Sequence, residues 1–192
     1  MTTDLPPPQA SVQVQLNDFS AWSSLNDTIM GGSSQAACRV TSEGLILKGE
    51  LIEQDGGFVS CRSPLLSPPL DLSSYRALQV EVDGEGRTLK LALGSRDGLF
   101  GLTERFYGGL RWVAQLPTKA SGTTSIEIPF STLKPTVLAQ PLAMPLRFIR
   151  FDASSINQVQ LLHSKFGLPG ELNPEFRPGP IRVLLRSIKA IH

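Results

Sequence analysis

Residues 22–34 read Trp-Ser-Ser-Leu-Asn-Asp-Thr-Ile-Met-Gly-Gly-Ser-Ser, and residues 56–62 read Gly-Gly-Phe-Val-Ser-Cys-Arg. The first stretch follows neither a helical nor a strand period. Asn26 and Asp27 can hydrogen-bond to nearby backbone in an Asx-turn, and Gly31 and Gly32 allow positive φ or close backbone approach. A glycine pair in each stretch predicts that two segments cross closely. The phosphate-loop alternative is excluded because neither pair leads into Lys-Ser/Thr and a helix.

Two groups of residues in the first stretch also allow a binding interpretation. Trp22 could be a platform for a partner or a sugar, but a buried core residue is the favoured interpretation. Asn26 and Asp27 could bind calcium, but an Asx-turn that holds the loop is favoured. The stretch is therefore predicted to be structural.

Short β-rich runs separated by turn signals occupy the rest of the chain, which contains 17 Gly and 15 Pro. Gln35–Thr41 and Leu45–Leu51 predict one hairpin, and Ala77–Val82 and Leu89–Leu93 predict another across a Gly-containing turn. The further predicted strands are Gly57–Arg62, Arg111–Leu116, Thr124–Ile128, Phe148–Phe151, Gln158–Leu162 and Ile181–Ile191. About ten strands at this spacing favour an all-β sandwich. Residues 1–10 are predicted to be a disordered Pro-rich lead and residues 11–192 a single domain.

Net charge is +1, which gives the whole chain no pull on nucleic acid or acidic membranes. Residues 147–192 carry seven basic and three acidic side chains, which could mark a basic contact face, although solvated strand edges are the simpler interpretation. No apolar run approaches the ~18 residues of a membrane span, and the N-terminus lacks signal-peptide features. We therefore expect a cytoplasmic protein, or a peripheral one at a membrane surface. In that compartment Cys38 and Cys61 are expected to be free buried thiols, and their number and spacing exclude zinc.

The two glycine-rich stretches resemble the signature of the complex I intermediate-associated protein 30 family. The matching residues are Trp22, Asn26-Asp27-Thr28, Met30-Gly31-Gly32-Ser33 and Gly56-Gly57-Phe58-Val59-Ser60. This resemblance implies a jelly-roll β-sandwich of the galactose-binding-like type that acts in the assembly of large complexes and has no catalytic role. The long Pro/Gly loop Ser164–Pro180 resembles the version found in photosynthetic organisms.

Candidate partner-binding residues fall in two regions that mix arginine or lysine with aromatic side chains, as interface hot spots do. They are Arg96, Phe100, Arg105, Phe106 and Tyr107 in the first region, and Lys165, Phe166, Phe176 and Arg177 in the second. For the first region, the alternative is an edge hairpin whose aromatic residues face the core. His163 lies in an apolar run and is expected to be packed, so no catalytic set, cofactor site or metal site is predicted.

Three functions are compatible with these features. The first is a monomeric, non-catalytic assembly factor that binds a maturing subunit of a respiratory or photosynthetic membrane complex. The second is a carbohydrate-binding module, although such modules are usually exported or fused to hydrolases. The third is an RNA-contacting translation factor for a photosystem subunit, for which Arg–aromatic interleaving would suit base stacking.

Overall fold

The computed structural model describes residues 8–95, 109–137, 140–141 and 149–192. In chain order, its elements are α1 (Pro8–Asn17), β1 (Ser23–Asn26), a 3₁₀ turn (Asp27–Met30), β2 (Gln35–Thr41), β3 (Gly44–Leu51), β4 (Phe58–Arg62), β5 (Ala77–Asp83), β6 (Thr88–Ser95), β7 (Arg111–Pro117), β8 (Thr124–Pro129), a 3₁₀ turn (Phe130–Thr132), β9 (Lys134–Val137), β10 (Gln140–Pro141), β11 (Ile156–Ser164) and β12 (Gly179–Ile191). The described helices are all too short to cross a membrane.

The strands form two antiparallel sheets. The seven-stranded sheet has the order β1-β4-β11-β6-β7-β9-β10, and the five-stranded sheet has the order β2-β3-β12-β5-β8. Alternate residues of each sheet point between the layers, and the largest inward-facing side chains, such as Leu47, Leu91 and Leu161, are almost completely buried. The predicted all-β jelly-roll sandwich of the galactose-binding-like type is confirmed.

The predicted hairpin between β5 and β6 is wrong. β5 lies in the five-stranded sheet and β6 in the seven-stranded sheet, so the turn at Gly84–Arg87 carries the chain from one layer to the other. Glu85 and Gly86 both have positive φ values there, 53° and 76°. The reason is visible in burial: β5 buries one face, whereas every residue of β6 is buried. A strand buried on both faces suits the centre of the larger sheet.

Two further differences concern local structure. Residues 149–151, part of the predicted strand Phe148–Phe151, are not extended in a sheet; Phe151 instead packs its ring edge-on against Trp112, with centroids 5.5 Å apart. Residues 8–10 of the predicted disordered lead form the first turn of α1, which the sequence did not predict. Residues 1–7 lie outside the described part of the chain.

Helix α1 is held by side-chain amides that act as an extra strand. Gln13 donates from Nε2 to the carbonyl of Ala190 (2.7 Å) and accepts from the Ala190 N–H (3.1 Å). Asn17, one helical turn later, makes the same pair of bonds with Ile188 at 2.8 and 2.9 Å. β12 pairs with β3 only as far as Leu185, so these amides satisfy the strand edge that β3 leaves open.

A disulfide between Cys38 and Cys61 joins β2 of one sheet to β4 of the other, with the Cα atoms 5.9 Å apart. The expectation of two free thiols is therefore wrong. Free thiols were expected because a reducing compartment was inferred. The disulfide forms because the two cysteines occupy inward-facing positions at the same edge of the sandwich. The bond ties the two layers together beside the glycine-rich stretches.

Candidate partner-binding surfaces

Asp27 lies at the centre of one end of the sandwich and is completely buried. Its Oδ1 accepts a hydrogen bond from the Ser34 N–H (2.9 Å), and its Oδ2 accepts bonds from Ser34 Oγ (2.6 Å), the Gly57 N–H (2.7 Å) and the Phe58 N–H (3.3 Å). The first glycine-rich stretch is thereby bonded to the second. The predicted contact between the Asx pair and the second glycine pair is present for Asp27.

Gly32 and Gly56, the glycine of each pair that faces Asp27, leave room for its carboxylate. A Cβ atom on Gly32 would lie 2.6 Å from Asp27 Oδ1, and one on Gly56 would lie 2.6 Å from Asp27 Cγ, both closer than real Cβ atoms approach. Gly31 and Gly57 instead have positive φ values, 90° and 107°. Each glycine pair therefore contains one residue needed for its backbone shape and one needed for close packing against Asp27.

The hydrogen bonds keep Asp27 ionised. Burial by itself raises the pKa of a carboxyl, but the bonds from Ser34, Gly57 and Phe58 outweigh it and hold the Asp27 pKa below its ordinary value. Because N–H and O–H donors already point at both carboxylate oxygens, this carboxylate does not suit a calcium ion. The described residues also contain no group of three or more His, Cys, Asp or Glu that could hold a metal.

Trp22 and Asn26 support the same stretch. Trp22 is buried, as predicted, and packs edge-on against Phe19, with centroids 5.3 Å apart. Asn26 donates from Nδ2 to the Ala36 carbonyl (2.9 Å), which links β1 to β2, while its buried Oδ1 has no partner among the described residues.

The loop after β11 closes over this end of the sandwich. The Lys165 N–H donates to the Gly57 carbonyl (2.8 Å), and its ammonium lies 3.1 Å from Glu53. Buried Asn173 donates from Nδ2 to Thr88 O (2.9 Å) and Ser164 O (3.0 Å), which fixes the middle of the loop. We call the region formed by Asp27–Ser34, Ile52–Gly57 and this loop the signature end.

The predicted contact residues of the loop differ in exposure: one packs against the core and the others keep contact with solvent. Phe176 is partly buried and stacks on the ring of His163, with centroids 5.7 Å apart, so it packs against the core. Arg177 is exposed and donates to the Glu85 carbonyl (2.6 Å). Lys165 and Phe166 retain substantial exposure. The other predicted contact residues, Arg96, Phe100, Arg105, Phe106 and Tyr107, lie outside the described residues, and their role stays a prediction.

Apart from Phe166, the exposed apolar side chains at the signature end were not identified from the sequence. Met30 and Leu172 are each 67% exposed, and partly exposed Ile29, Ile52 and Phe166 accompany them. Their positions follow from the contacts above: the 3₁₀ turn carries Ile29 and Met30, Ser34 Oγ bonds to the backbone of Ile52, and a bridge pairs Phe166 with Leu172. A single sequence shows these residues as ordinary apolar positions, because only the fold reveals their exposure.

His163 is buried and packed, as the sequence predicted. Its Nδ1 lies 3.0 Å from the Thr88 carbonyl; since a carbonyl only accepts, Nδ1 carries the proton. The buried Nε2 has no partner among the described residues. Burial is the main cause that lowers the His163 pKa to about 4, so the ring is neutral near pH 7.

Comparisons with known proteins agree with this fold. The family 11 carbohydrate-binding module of the cellulosomal cellulase Lic26A-Cel5E of Clostridium thermocellum superimposes with a TM-score of 0.59 at 17% identity, covering 89% of this chain and 87% of that one. A second structure of the Clostridium thermocellum family 11 module, with a β-1,3-1,4-mixed-linked tetrasaccharide, gives the same TM-score and identity, with coverages of 89% and 88%. The agarase AgWH50C gives a TM-score of 0.50 at 10% identity and covers 91% of this chain but 24% of the agarase. At these identities the likeness shows the fold alone.

No curated protein sequence matches the chain. The model of one protein family, described as Complex I intermediate-associated protein 30, matches residues 12–185, which include both glycine-rich stretches and every described strand except the end of β12. The chain therefore belongs to the complex I intermediate-associated protein 30 family.

Proposed function

We propose that this protein is a non-catalytic assembly factor that binds a maturing subunit of a respiratory or photosynthetic membrane complex. Membership of a family named for association with complex I intermediates is the observation that carries the proposal. The client is a complex I or NDH-like subunit, or its photosynthetic counterpart.

The signature end is a suitable surface for such a client. Asp27 fixes the two glycine-rich stretches from inside, and exposed Met30, Phe166 and Leu172 lie outside on the loops that Asp27 and Asn173 hold. Rigid loops that carry apolar side chains bind at a lower entropic cost than loops that must be ordered on binding. An incompletely assembled subunit exposes apolar surface that the finished complex buries, and such surface is complementary to these side chains.

The polar groups of the described residues also favour binding over catalysis. The ring of His163 is buried and bonded to Thr88, and the Asp27 carboxylate is saturated with hydrogen bonds. Glu53, near the second glycine pair, forms an ion pair with Lys165. These groups stabilise the fold and leave the loops free for contact.

Capture from membranes tests the proposal. The tagged protein, incubated with detergent-solubilised membranes of the source cell, should retain subunits of one complex, and native gels should show them as a subassembly smaller than the finished complex. Deletion of the gene should lower the amount of that finished complex. Retention of the finished complex alone, or normal assembly without the gene, would reject the proposal.

A carbohydrate-binding module is the second candidate, because the family 11 modules share the sandwich. Affinity electrophoresis in β-1,3-1,4-mixed-linked glucan distinguishes the two. Retardation by the glucan, together with no captured subassembly, would support the second candidate. The RNA-contacting alternative would show an RNA affinity that falls steeply with salt.

A further inference from the structure

The exposed apolar side chains of the described residues are concentrated at the signature end. Eight large apolar side chains are exposed in the described part of the chain, and five of them lie at this end: Ile29, Met30, Ile52, Phe166 and Leu172. We call these five the apolar group. The other three are scattered over α1, β2 and the loop after β4. Single exposed apolar residues are ordinary, whereas a group of them marks an interaction surface.

Contacts between the loops keep the apolar group together. Phe166 pairs with Leu172 in an isolated bridge. The ammonium of Lys165 lies 3.1 Å from Glu53, so the chain beside Phe166 is joined to the chain beside Ile52. The 3₁₀ turn is bonded to the same region through the buried carboxylate at its start. The loops therefore present these side chains as one surface.

Negative charge accompanies the apolar group on two of these loops. Asp55, Glu171 and Glu175 are exposed, and their carboxylates form no hydrogen bond or ion pair with a described residue. We call these three the free carboxylates. The two basic side chains of the signature end do not neutralise them, because one pairs with Glu53 and the other donates to the turn between β5 and β6. The signature end is therefore acidic, although the whole chain carries a net charge of +1.

We propose that the signature end binds a basic amphipathic helix of the client, with the apolar face of the helix on the apolar group and its Lys and Arg side chains against the free carboxylates. This inference rests on the proposed function and names the chemistry of the partner. Interfaces combine an apolar centre with a polar rim, and opposite charges across the rim select the partner. Membrane proteins carry an excess of Lys and Arg beside their spanning helices on the cytoplasmic side, so an unassembled membrane subunit offers segments of this composition.

A helix fits this surface better than an extended segment does. The apolar group lies on loops and a 3₁₀ turn, outside the strands, so it presents side chains and no open ladder of backbone groups. An extended segment on these side chains would leave its own backbone N–H and C=O groups unpaired, whereas a helix bonds its backbone internally. Apolar residues at i, i+3, i+4 and i+7 give such a helix one face to place on the apolar group.

The charge of the signature end disfavours other occupants. RNA and anionic lipid headgroups would meet carboxylates of the same sign. A second copy of this chain, related by a twofold axis, would bring two sets of free carboxylates into one interface. A basic protein segment is the occupant whose charge is complementary.

Fluorescence anisotropy on the whole protein tests the inference. The probe is a labelled Leu/Lys peptide of about 18 residues, long enough to form a helix, with Leu at i, i+3, i+4 and i+7. It should bind at least tenfold more tightly than the same peptide with Glu in place of each Lys, and this difference should shrink as salt increases. A reordered peptide of the same composition without an apolar face should also bind at least tenfold more weakly.

Two variants of the signature end should weaken binding of the Leu/Lys peptide. Asp55→Asn/Glu171→Gln/Glu175→Gln removes the free carboxylates and should lower affinity about tenfold at low salt. Met30→Ser/Leu172→Ser removes the most exposed part of the apolar group and should lower affinity at least tenfold at any salt concentration. Thermal melts check that both variants fold.

The matched control removes the same charge at the opposite end of the sandwich. Asp18, Asp71 and Asp152 are exposed, and each accepts a hydrogen bond from the backbone N–H of a serine two residues later, which asparagine also accepts. They lie around the start of β11, whereas the loop of the signature end follows its last residue. Asp18→Asn/Asp71→Asn/Asp152→Asn should therefore bind the peptide as wild type does.

Several results would overturn the inference. They are equal affinity for the Lys and Glu peptides, equal affinity for the reordered peptide, equal loss in the two triple variants, and tighter binding to oligouridine or phosphatidylserine vesicles than to the Leu/Lys peptide. Sedimentation that shows a dimer, dissociated by Met30→Ser/Leu172→Ser, would assign the surface to a second copy instead.

Membrane capture separates this inference from the proposed function. A subassembly retained equally by wild type and by the variant without the free carboxylates would reject the basic helix alone. Peptide binding that depends on the free carboxylates, without any captured subassembly, would reject the assembly role alone.

Discussion

The carboxylate of Asp27 accepts a 2.7 Å hydrogen bond from the backbone N–H of Gly57, which lies 30 positions later in the chain. This bond explains why two glycine-rich stretches so far apart belong to one signature. Gly32 packs on one side of the carboxylate and Gly56 on another, so a side chain at either position would displace it. The residues of the family pattern therefore form a single buried, hydrogen-bonded centre.

Asp27→Asn should destabilise the protein by about 2–4 kcal/mol, because hydrogen bonds to a charged acceptor are lost and an amide N–H₂ then faces backbone N–H donors. Urea unfolding measures the change. Asp55→Asn is the matched control: Asp55 is exposed at the same end, and Asn also tolerates its positive φ of 57°. Equal stability of the two variants would show that the Asp27 bonds contribute nothing.

The adjacent glycines Gly31 and Gly32 should respond differently to alanine. Gly31→Ala should cost about 1 kcal/mol, since its positive φ is disfavoured for alanine but its Cβ would meet nothing within 4 Å. Gly32→Ala and Gly56→Ala should each cost more, about 2–4 kcal/mol, because the new Cβ collides with the Asp27 carboxylate. Thermal melts rank the variants, and a Gly31 variant less stable than the other two would contradict the packing argument.

Stability should fall as pH decreases from 6.5 to 4 because of His163. Its pKa is lowered from 6.5 to about 4 in the folded protein, so across this window the unfolded chain binds a proton that the folded chain does not. The loss attributable to this ring is up to about 3 kcal/mol, and the ring contributes no further loss below pH 4. His163→Asn, which can still donate to Thr88, should remove that slope. Phe176→Leu should keep the slope, although it lowers stability at every pH, and equal slopes in wild type and His163→Asn would contradict the assignment.

Reducing the Cys38–Cys61 disulfide should lower stability by about 3 kcal/mol, since the bond closes a loop with a sequence separation of 23. Urea unfolding with and without dithiothreitol measures this effect. The Cys38→Ser/Cys61→Ser double variant should match the reduced wild type and should not respond to the reductant. A reduced protein as stable as the oxidised one would show that the bond adds no constraint.

Local patterns were sufficient to predict most strands, because one apolar face per strand and a turn signal between strands are properties of adjacent residues. The β2–β3 hairpin and β12 show this directly. Local patterns do not decide which of the two sheets a strand joins. The turn at Gly84–Gly86 suits a hairpin and a crossing between the layers equally well, and which of them forms depends on how β6 is covered.

Most features that the sequence did not reveal depend on contacts between residues that are far apart in the chain. The α1 amides were unrecognised because their partners, Ile188 and Ala190, lie at the other end of the chain. The contact of Asp27 was predicted because the family pattern contains both Asp27 and the second glycine-rich stretch, to which Asp27 is bonded.

The final prediction concerns the surface that holds the client. Met30→Ser combined with Leu172→Ser replaces the two most exposed apolar side chains of the signature end, so the fold should be retained while client capture weakens by at least ~2 kcal/mol, the scale of a hot spot. Leu65→Ser is the matched control: Leu65 is 71% exposed but follows β4 at the opposite end, so capture should be unchanged. Arg105→Ala with Tyr107→Ala tests the rival region in the same assay. If that pair abolishes capture and the Met30/Leu172 pair leaves it intact, the client binds the rival region and the signature end is structural only.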